Sequence, residues 1–218
     1  MKPFKRLLII SFVILGVLSP RQLHSQDLNS YSDLDEKVRN FLTDHSGRWH
    51  DLNVPFRDGQ LLYDLVLKGN YKSAIEIGTS TGHSAIWIAW ALSKTGGKLI
   101  TIEINQKRYE EALRNFEEAG LSEYIDARLA DAHDLVRQLE GPFDFVFSDA
   151  DKNWYKNYFI DIDPKLKVGG CYATHNVYES GRRGFGRSGD YLEYVRSRNN
   201  YESTLEQGML ISYKRSAR

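Results

Sequence analysis

Residues 73–103 constrain the fold of this chain more than any other stretch. An apolar run stops at Gly78, a helical stretch follows over His83–Leu92, and a second apolar run ends at Glu103. This order predicts a strand, a tight turn, a helix and a second strand, which form the first half of a nucleotide-binding α/β sheet. In such a unit the first helical amides face the ligand, and an acid that ends the second strand can accept both hydroxyls of a ribose.

The spacing of the glycines separates two classes of ligand. A dinucleotide fingerprint requires G-x-G-x-x-G, but Ser80 and His83 stand where its second and third glycines would be. The pattern present is E-x-G-x-x-x-G, formed by Glu76, Gly78 and Gly82. It argues against a bound dinucleotide, and it leaves open a generic strand–turn–helix unit with an acid placed by chance.

Length, charge and cysteine content limit the number of domains, the class of partner and the possible disulfides. At 218 residues the chain has the length of one domain of ordinary size. The 29 basic residues equal the 29 acidic residues, so bulk charge gives no indication of a nucleic-acid partner. Cys171 is the only cysteine, which excludes an intramolecular disulfide.

The first 25 residues differ in composition from the rest. Basic residues precede the apolar run Leu7–Leu18, as in a secretory signal peptide, and the run is too short for an ordinary membrane span. We expect cleavage before Gln26, export to the periplasm or the medium, and one mature domain over 26–218. The alternative is an uncleaved N-terminal anchor, which would be the membrane contact of the chain. Cleavage would leave 25 of the 29 basic residues beside all 29 acidic ones, a net charge of −4, because 1–25 holds four basic residues and no acid.

Strands and helices are predicted to alternate along most of the chain. Apolar residues at helical spacing within 26–53 predict an N-terminal helix that covers the sheet or the active site. The other predicted helices are Arg57–Leu67, Gln106–Ala119, Ala132–Leu139, Lys152–Ile162 and Asp190–Arg196, and the other strands are Ile125–Leu129, Phe143–Phe147, Gly170–Thr174, Tyr201–Leu205 and Met209–Tyr213. This alternation predicts a parallel sheet covered on both faces, and the two adjacent closing strands predict a hairpin.

Three further segments end predicted strands, at the edge where such a sheet binds its ligand. Asp131 can accept a hydrogen bond from an adenine amine or cap the helix that follows. Asp149 can bind a divalent cation, and Lys152 can act as a general base if its pKa is lowered, although a solvated acidic turn has the same composition. His175 and Asn176 end a later strand, where a lone histidine more often packs or caps than binds a ligand.

Together these motifs resemble the cation-dependent O-methyltransferases, the group of catechol and caffeoyl-CoA O-methyltransferases and their bacterial relatives. The resemblance runs from about Val54 to Tyr213, with the motifs in the family's order. It is carried by Asn53-Val54-Pro55, Gly59–Leu62, Glu76–Gly78, Gly82–Ser84, Glu103, Asp131-Ala132 and Asp149–Lys152. It implies a three-layer, Rossmann-like α/β sandwich of the S-adenosylmethionine (SAM) methyltransferase type, mostly parallel with an antiparallel last strand.

The resemblance also implies a reaction and a set of site residues. A methyl group would pass from SAM to a phenolic or catechol-like hydroxyl of a small acceptor. The cofactor-binding residues would be Val54, Glu76, Gly78, Thr79, Gly82, Ser84, Glu103, Asp131, Ala132 and Asp149. Asp149 and Lys152 would be catalytic, with Lys152 as the base, and Asp149, His175 and Asn176 would hold a divalent metal such as Mg²⁺.

One position departs from the family pattern. The family usually ends its fifth strand with Asp-Asn, both metal ligands, whereas this chain has His175-Asn176. Mg²⁺ prefers oxygen ligands and imidazole suits softer ions, so either the metal preference has shifted or the metal has been lost. Two other hypotheses stay open: a SAM-binding protein that has lost catalysis and, more remotely, a nucleotide-dependent dehydrogenase.

The loop that follows Asn176 contains three arginines among four glycines. In relatives this region borders the acceptor, so the loop suits an acceptor that bears a carboxylate or phosphate, but a solvated hinge is the favoured interpretation. A homodimer is compatible with the sequence.

Overall fold

The computed structural model describes residues 33–179, 188–206 and 208–217. The predicted signal peptide, its cleavage site and most of the arginine-rich loop lie outside the described residues. Within the described ranges, no helix has the length and apolar character needed to cross a bilayer.

Helices and strands alternate along the described chain, as the sequence predicts. The helices are α1 (33–44), α2 (Phe56–Gly69), α3 (His83–Thr95), α4 (Gln106–Ala119), α5 (Ala132–Gln138), α6 (Tyr155–Ile162) and α7 (Ser188–Arg196). The strands are β1 (Ser73–Ile77), β2 (Lys98–Glu103), β3 (Ile125–Leu129), β4 (Phe143–Ser148), β5 (Leu166–Thr174), β6 (Tyr201–Glu206) and β7 (Met209–Lys214).

The strands form a seven-stranded sheet in the order β3-β2-β1-β4-β5-β7-β6. Strands β1 to β5 pair in parallel, and β7 pairs antiparallel with both β5 and β6. The predicted parallel sheet with a reversed last strand and a closing hairpin is therefore confirmed. The strand order reverses between β1 and β4, which is where sheets of this kind open a ligand crevice.

Each face of the sheet supports its own apolar core. The apolar sides of α1 to α4 pack on one face, and α5 to α7 pack on the other. Side chains alternate between the two cores along the strands: Phe145 enters the first and Val146 the second. Helix α1 packs beside α3, where Trp90 donates from Nε1 to Asp35 at 2.7 Å. The N-terminal helix thus joins the helices on the first face of the sheet.

Two elements begin more than two residues away from the position that the sequence predicts. Strand β5 begins before Gly170 because the glycine pair lies inside the strand, where the pairing with β4 shifts register. Helix α6 begins at Tyr155 because the preceding residues form a turn, in which the Asp151 carboxylate accepts from the Asn153 amide at 2.9 Å. Lys152 therefore belongs to a loop at the edge of the sheet.

Candidate active site

A cavity of about 740 Å³ opens at the carboxyl ends of β1, β2, β4 and β5. The loop before α2 and the loops after β1, β2 and β3 bring to its wall Val54, Gly78, Thr79, Ser84, Glu103, Asp131 and Ala132. The ends of β4 and β5 add Asp149, Lys152, His175 and Asn176. Of the predicted site residues, Glu76 and Gly82 do not line the cavity.

The turn after β1 requires glycine at two positions. Gly78 has a φ of 100°, and a Cβ at this position would lie 2.7 Å from the backbone oxygen of Asp149. Gly82 has a φ of 99°, and a Cβ there would lie 2.5 Å from the Phe116 ring. Gly78 therefore allows the loops after β1 and β4 to meet at the cavity, whereas Gly82 allows α3 to begin against α4.

Backbone amides hold the carboxylate of Glu103 at the end of β2. The Ser80 amide donates to Oε2 at 2.7 Å, and the Asn105 amide donates to Oε1 at 2.9 Å. Glu103 is only 6% exposed, yet it lies on the cavity wall. Since each carboxylate oxygen can accept a further hydrogen bond, Glu103 retains acceptor capacity for a pair of hydroxyls.

Glu76 is fully buried between β1 and α3. The Thr101 hydroxyl donates to its Oε2 at 2.5 Å, while its Oε1 has no hydrogen-bond partner among the described residues. Burial raises the pKa of Glu76 to about 8, partly opposed by neighbouring hydroxyls. Strand alternation turns this carboxyl away from the cavity surface, so Glu76 supports the wall from behind.

The loop before α2 is attached to the start of α3. Asn53 accepts from the His83 amide at 3.3 Å and donates to the Thr81 hydroxyl at 2.7 Å. The His83 ring places Nδ1 2.8 Å from the Val54 carbonyl oxygen, and Nε2 accepts from Trp87 Nε1 at 3.1 Å. Burial lowers the pKa of His83, so a neutral ring that donates from Nδ1 holds Val54 at the cavity wall.

The segment after β3 combines a helix cap with an aromatic surface. Asp131 Oδ1 accepts from the His133 amide at 2.8 Å and caps α5, while Asp131 also lines the cavity. The His133 ring lies against Trp154, with centroids 4.4 Å apart. His133 and Tyr158 also line the cavity, and neither was among the site residues predicted from the sequence.

The carboxylate of Asp149 has three neighbours. Lys152 Nζ lies 3.7 Å from its Oδ1, and His175 Nδ1 lies 2.9 Å from its Oδ2. The Tyr155 hydroxyl lies 3.3 Å from Asp149 Oδ1 and 3.0 Å from the His175 carbonyl oxygen. Burial raises the pKa of Tyr155, so the phenol remains a donor at this junction.

His175 connects two carboxylates, an arrangement we call the Asp58–His175–Asp149 bridge. His175 Nε2 lies 3.0 Å from Oδ2 of Asp58, which is on α2, 117 residues earlier in the chain. Arg57 Nε donates to the other oxygen of Asp58 at 3.3 Å. Burial alone would lower the pKa of His175, but the hydrogen bonds and charges of Asp149 and Asp58 outweigh it and raise the pKa.

Sequence reasoning missed Asp58 and Tyr155. A signal for Asp58 was available, because it shares one face of α2 with the buried Leu62 and Leu65. An acid at an apolar helical position needs a polar partner inside the fold. Tyr155 gave no comparable signal, since its position next to Asp149 depends on where α6 begins.

The side chains of the bridge are not arranged as ligands of a metal ion. Both ring nitrogens of His175 are already at hydrogen-bond distance from carboxylates. Across the described part of the chain, no group of three or more His, Cys, Asp or Glu side chains is arranged to hold a metal. Asp149, His175 and Asn176 do meet at one edge of the sheet, as the sequence predicts, but the imidazole is directed at carboxylates.

A glycine turn, an acid at the end of β2 and an acid–lysine pair after β4 define a nucleoside-binding domain of the doubly wound α/β class. The chain belongs to the O-methyltransferase family, whose model matches residues 24–184. This confirms the resemblance found in the motifs.

Two curated relatives and one solved structure illustrate the similarity. Caffeoyl-CoA O-methyltransferase 1 of Eucalyptus globulus is 36% identical over 138 residues, which cover 61% of this chain and 56% of that protein. Catechol O-methyltransferase of Niastella koreensis is 39% identical over 135 residues, which cover 60% of this chain and 61% of that protein. The chain thus spans somewhat more than half the length of these relatives. The O-methyltransferase from Bacillus cereus in complex with SAH (S-adenosylhomocysteine) superposes with a TM-score of 0.71 at 25% identity, covering 83% of this chain and 91% of that one.

Proposed function

We propose that this chain is a SAM-dependent O-methyltransferase that methylates a phenolic or catechol-like hydroxyl of a small acceptor. One observation carries the proposal: Glu103 and Lys152 line the same cavity, one as a fixed acceptor for a diol and the other as an amine beside Asp149. The family membership supports the reaction class, and the catechol and caffeoyl-CoA relatives support the acceptor class.

SAM, when bound, supplies a methyl group activated on a sulfonium. In the proposed complex, Glu103 accepts from the ribose hydroxyls, and Asp131 accepts from the adenine amine. Ser84 and the first amides of α3 bind the methionine carboxylate, because a helix N-terminus favours an anion. The ring of Tyr158 offers the adenine ring a flat surface on the cavity wall.

On the acceptor side, Lys152 would remove the proton of the acceptor hydroxyl, so that its oxygen could take the methyl group that bound SAM supplies. The products would be a methyl ether and SAH, with the proton on Lys152 Nζ. Asp149, 3.7 Å from that nitrogen, stabilises the ammonium that results.

The test pairs binding with turnover. We expect calorimetry to detect SAH binding and no NAD binding, and radiolabelled SAM to transfer its methyl to catechol. The matched control acceptor is 1,2-dimethoxybenzene, which has the same ring without a free hydroxyl and should receive no label. Binding of SAH without transfer to any phenol would favour a SAM-binding protein that has lost catalysis. Binding of NAD would favour a dehydrogenase.

We further propose that residues 1–25 direct export and are then removed. The basic start and the apolar run support this, and the family match begins only at residue 24. Mass spectrometry of the protein from its native host should find an N-terminus near Gln26. An intact Met1 on a cytosolic protein would contradict the proposal.

A further inference from the structure

The Asp58–His175–Asp149 bridge lies where the family ends its fifth strand with a metal-binding acid. An aspartate at this position would join Asp149 and Asp58 in a cluster of three carboxylates, which attracts a divalent cation. Here an imidazole stands in that position, and its residue is only 8% exposed. Its nitrogens lie 2.9 and 3.0 Å from the two remaining carboxylates.

Both ring nitrogens of His175 are engaged by carboxylates. They lie at hydrogen-bond distance from the oxygens of Asp149 and Asp58. An ionised carboxylate only accepts hydrogen bonds, so a ring bonded to two of them donates from both nitrogens and has no lone pair. In this arrangement neither nitrogen is free to coordinate a metal.

The charges around the bridge are also balanced without a metal. Arg57 Nε lies 3.3 Å from Asp58 Oδ1, and Lys152 Nζ lies 3.7 Å from Asp149 Oδ1. Arg57 and a His175 ring that donates from both nitrogens together supply two positive charges against the two carboxylates. The balance therefore leaves Lys152 free to act as the neutral base, and a dication entering here would meet neighbouring positive charges.

We propose that the His175 ring takes the place of a divalent cation in this chain, so that the methyl transfer proposed above requires no metal ion. The ring connects Asp58 on α2 to Asp149 after β4, as a cation bound by both would. It thereby holds the Asp149 carboxylate beside Lys152. Asp58 and His175 are positioning residues, and Lys152 is the base.

The direct test is metal binding, which needs no acceptor and no turnover. Free Mn²⁺ is measured by electron paramagnetic resonance as it is titrated into the SAH-saturated full chain. We expect no stoichiometric binding by the wild type. His175→Asp should bind one Mn²⁺ per chain at least about tenfold more tightly, because it restores a third carboxylate. The matched control, His175→Asn, removes the ring without adding a charge and should resemble the wild type.

Binding of one Mn²⁺ per chain by the wild type, with loss of that binding in His175→Asn, would overturn the proposal. Equal Mn²⁺ binding by all three proteins would also overturn it. If His175→Asp does not fold, the proposal is tested by the wild-type Mn²⁺ titration and by methyl transfer measured with and without a chelator. Wild-type methyl transfer should change less than twofold between EDTA and added Mg²⁺, Mn²⁺ or Zn²⁺. Loss of transfer in EDTA that a metal restores would overturn the proposal, whereas no transfer under any condition would count against the proposed function alone.

Asp58 provides the test of positioning. Asp58→Ala should lower kcat about tenfold while leaving the SAH dissociation constant unchanged, because Asp149 loses its fixed direction toward Lys152. Asp58→Glu keeps the carboxylate and should recover part of that loss. Unchanged kcat in Asp58→Ala would contradict the positioning role, as would no recovery in Asp58→Glu.

Discussion

The two halves of the cavity are built by different means. In the cofactor half, the Glu103 carboxylate is held by the amides of Ser80 and Asn105, all within one stretch of chain. In the acceptor half, side chains hold one another across the fold, and His175 and Asp58 are 117 residues apart. A backbone amide donates whatever side chain its residue carries. A network of side chains changes its chemistry when one member changes, as the histidine after β5 illustrates.

Lys152→Ala gives the largest effect expected and tests whether the halves act separately. Removal of the proposed base should lower kcat by about 10²- to 10⁴-fold, with SAH affinity unchanged in calorimetry. The control is Lys156→Ala on α6, where the amine lies over the Tyr194 ring, 4.8 Å from its centroid. This variant should keep its activity. A large loss of SAH affinity in Lys152→Ala would show that the two halves are coupled.

The second prediction concerns the titratable carboxyl behind the cofactor half. The pKa of Glu76 is raised from its ordinary 4.5 to about 8, so folding favours its neutral form. Its contribution to stability is present below pH 4.5 and is lost as pH rises to about 8. Glu76→Gln keeps the shape and stays neutral, so its advantage over the wild type in urea unfolding should grow over this range. Parallel pH profiles for the two proteins would contradict the assignment.

Gly78→Ala tests the contact between the two halves. We expect a loss of about 2–4 kcal/mol in the free energy of unfolding, because backbone strain adds to a Cβ placed 2.7 Å from the Asp149 oxygen. Gly169→Ala is the control, since Gly169 has a φ of 86° and a Cβ there would have no neighbouring atom within 4 Å. Strain alone should cost it about 1–2 kcal/mol. Equal losses would mean that the close approach at Gly78 is unimportant.

Glu103→Ala gives the smallest expected effect, confined to the cofactor half. SAH binding should weaken by about 1–3 kcal/mol, because two hydroxyls lose a charged acceptor. At saturating SAM, kcat should remain close to that of the wild type. Glu110→Ala, an exposed acid on α4, controls for loss of charge and should bind SAH normally. An unchanged SAH dissociation constant in Glu103→Ala would remove the ribose assignment.

The contrast between local backbone contacts and long-range side-chain contacts also explains how well the sequence predicted each half of the cavity. The succession of strands and helices along the chain, the glycine turn and the position of Glu103 at the end of β2 all agree with the structure. These features arise from short-range properties: side-chain periodicity, turn conformation and the direction of the strand. The start of α6 was predicted three residues early, because the side chain of Asp151 forms a turn that competes with the helix.

By itself, the sequence determined a doubly wound α/β domain with a nucleoside-type site at the carboxyl edge of its sheet. It also marked His175 as the departure from the family pattern. Only the tertiary structure decided what this histidine contacts, because Asp58 reaches it through the packing of α2 across the end of β5. Such a partner is chosen by three-dimensional proximity, which no local pattern encodes. The family motif indicated a cation site at this edge, and the fold fills it with an imidazole between two carboxylates.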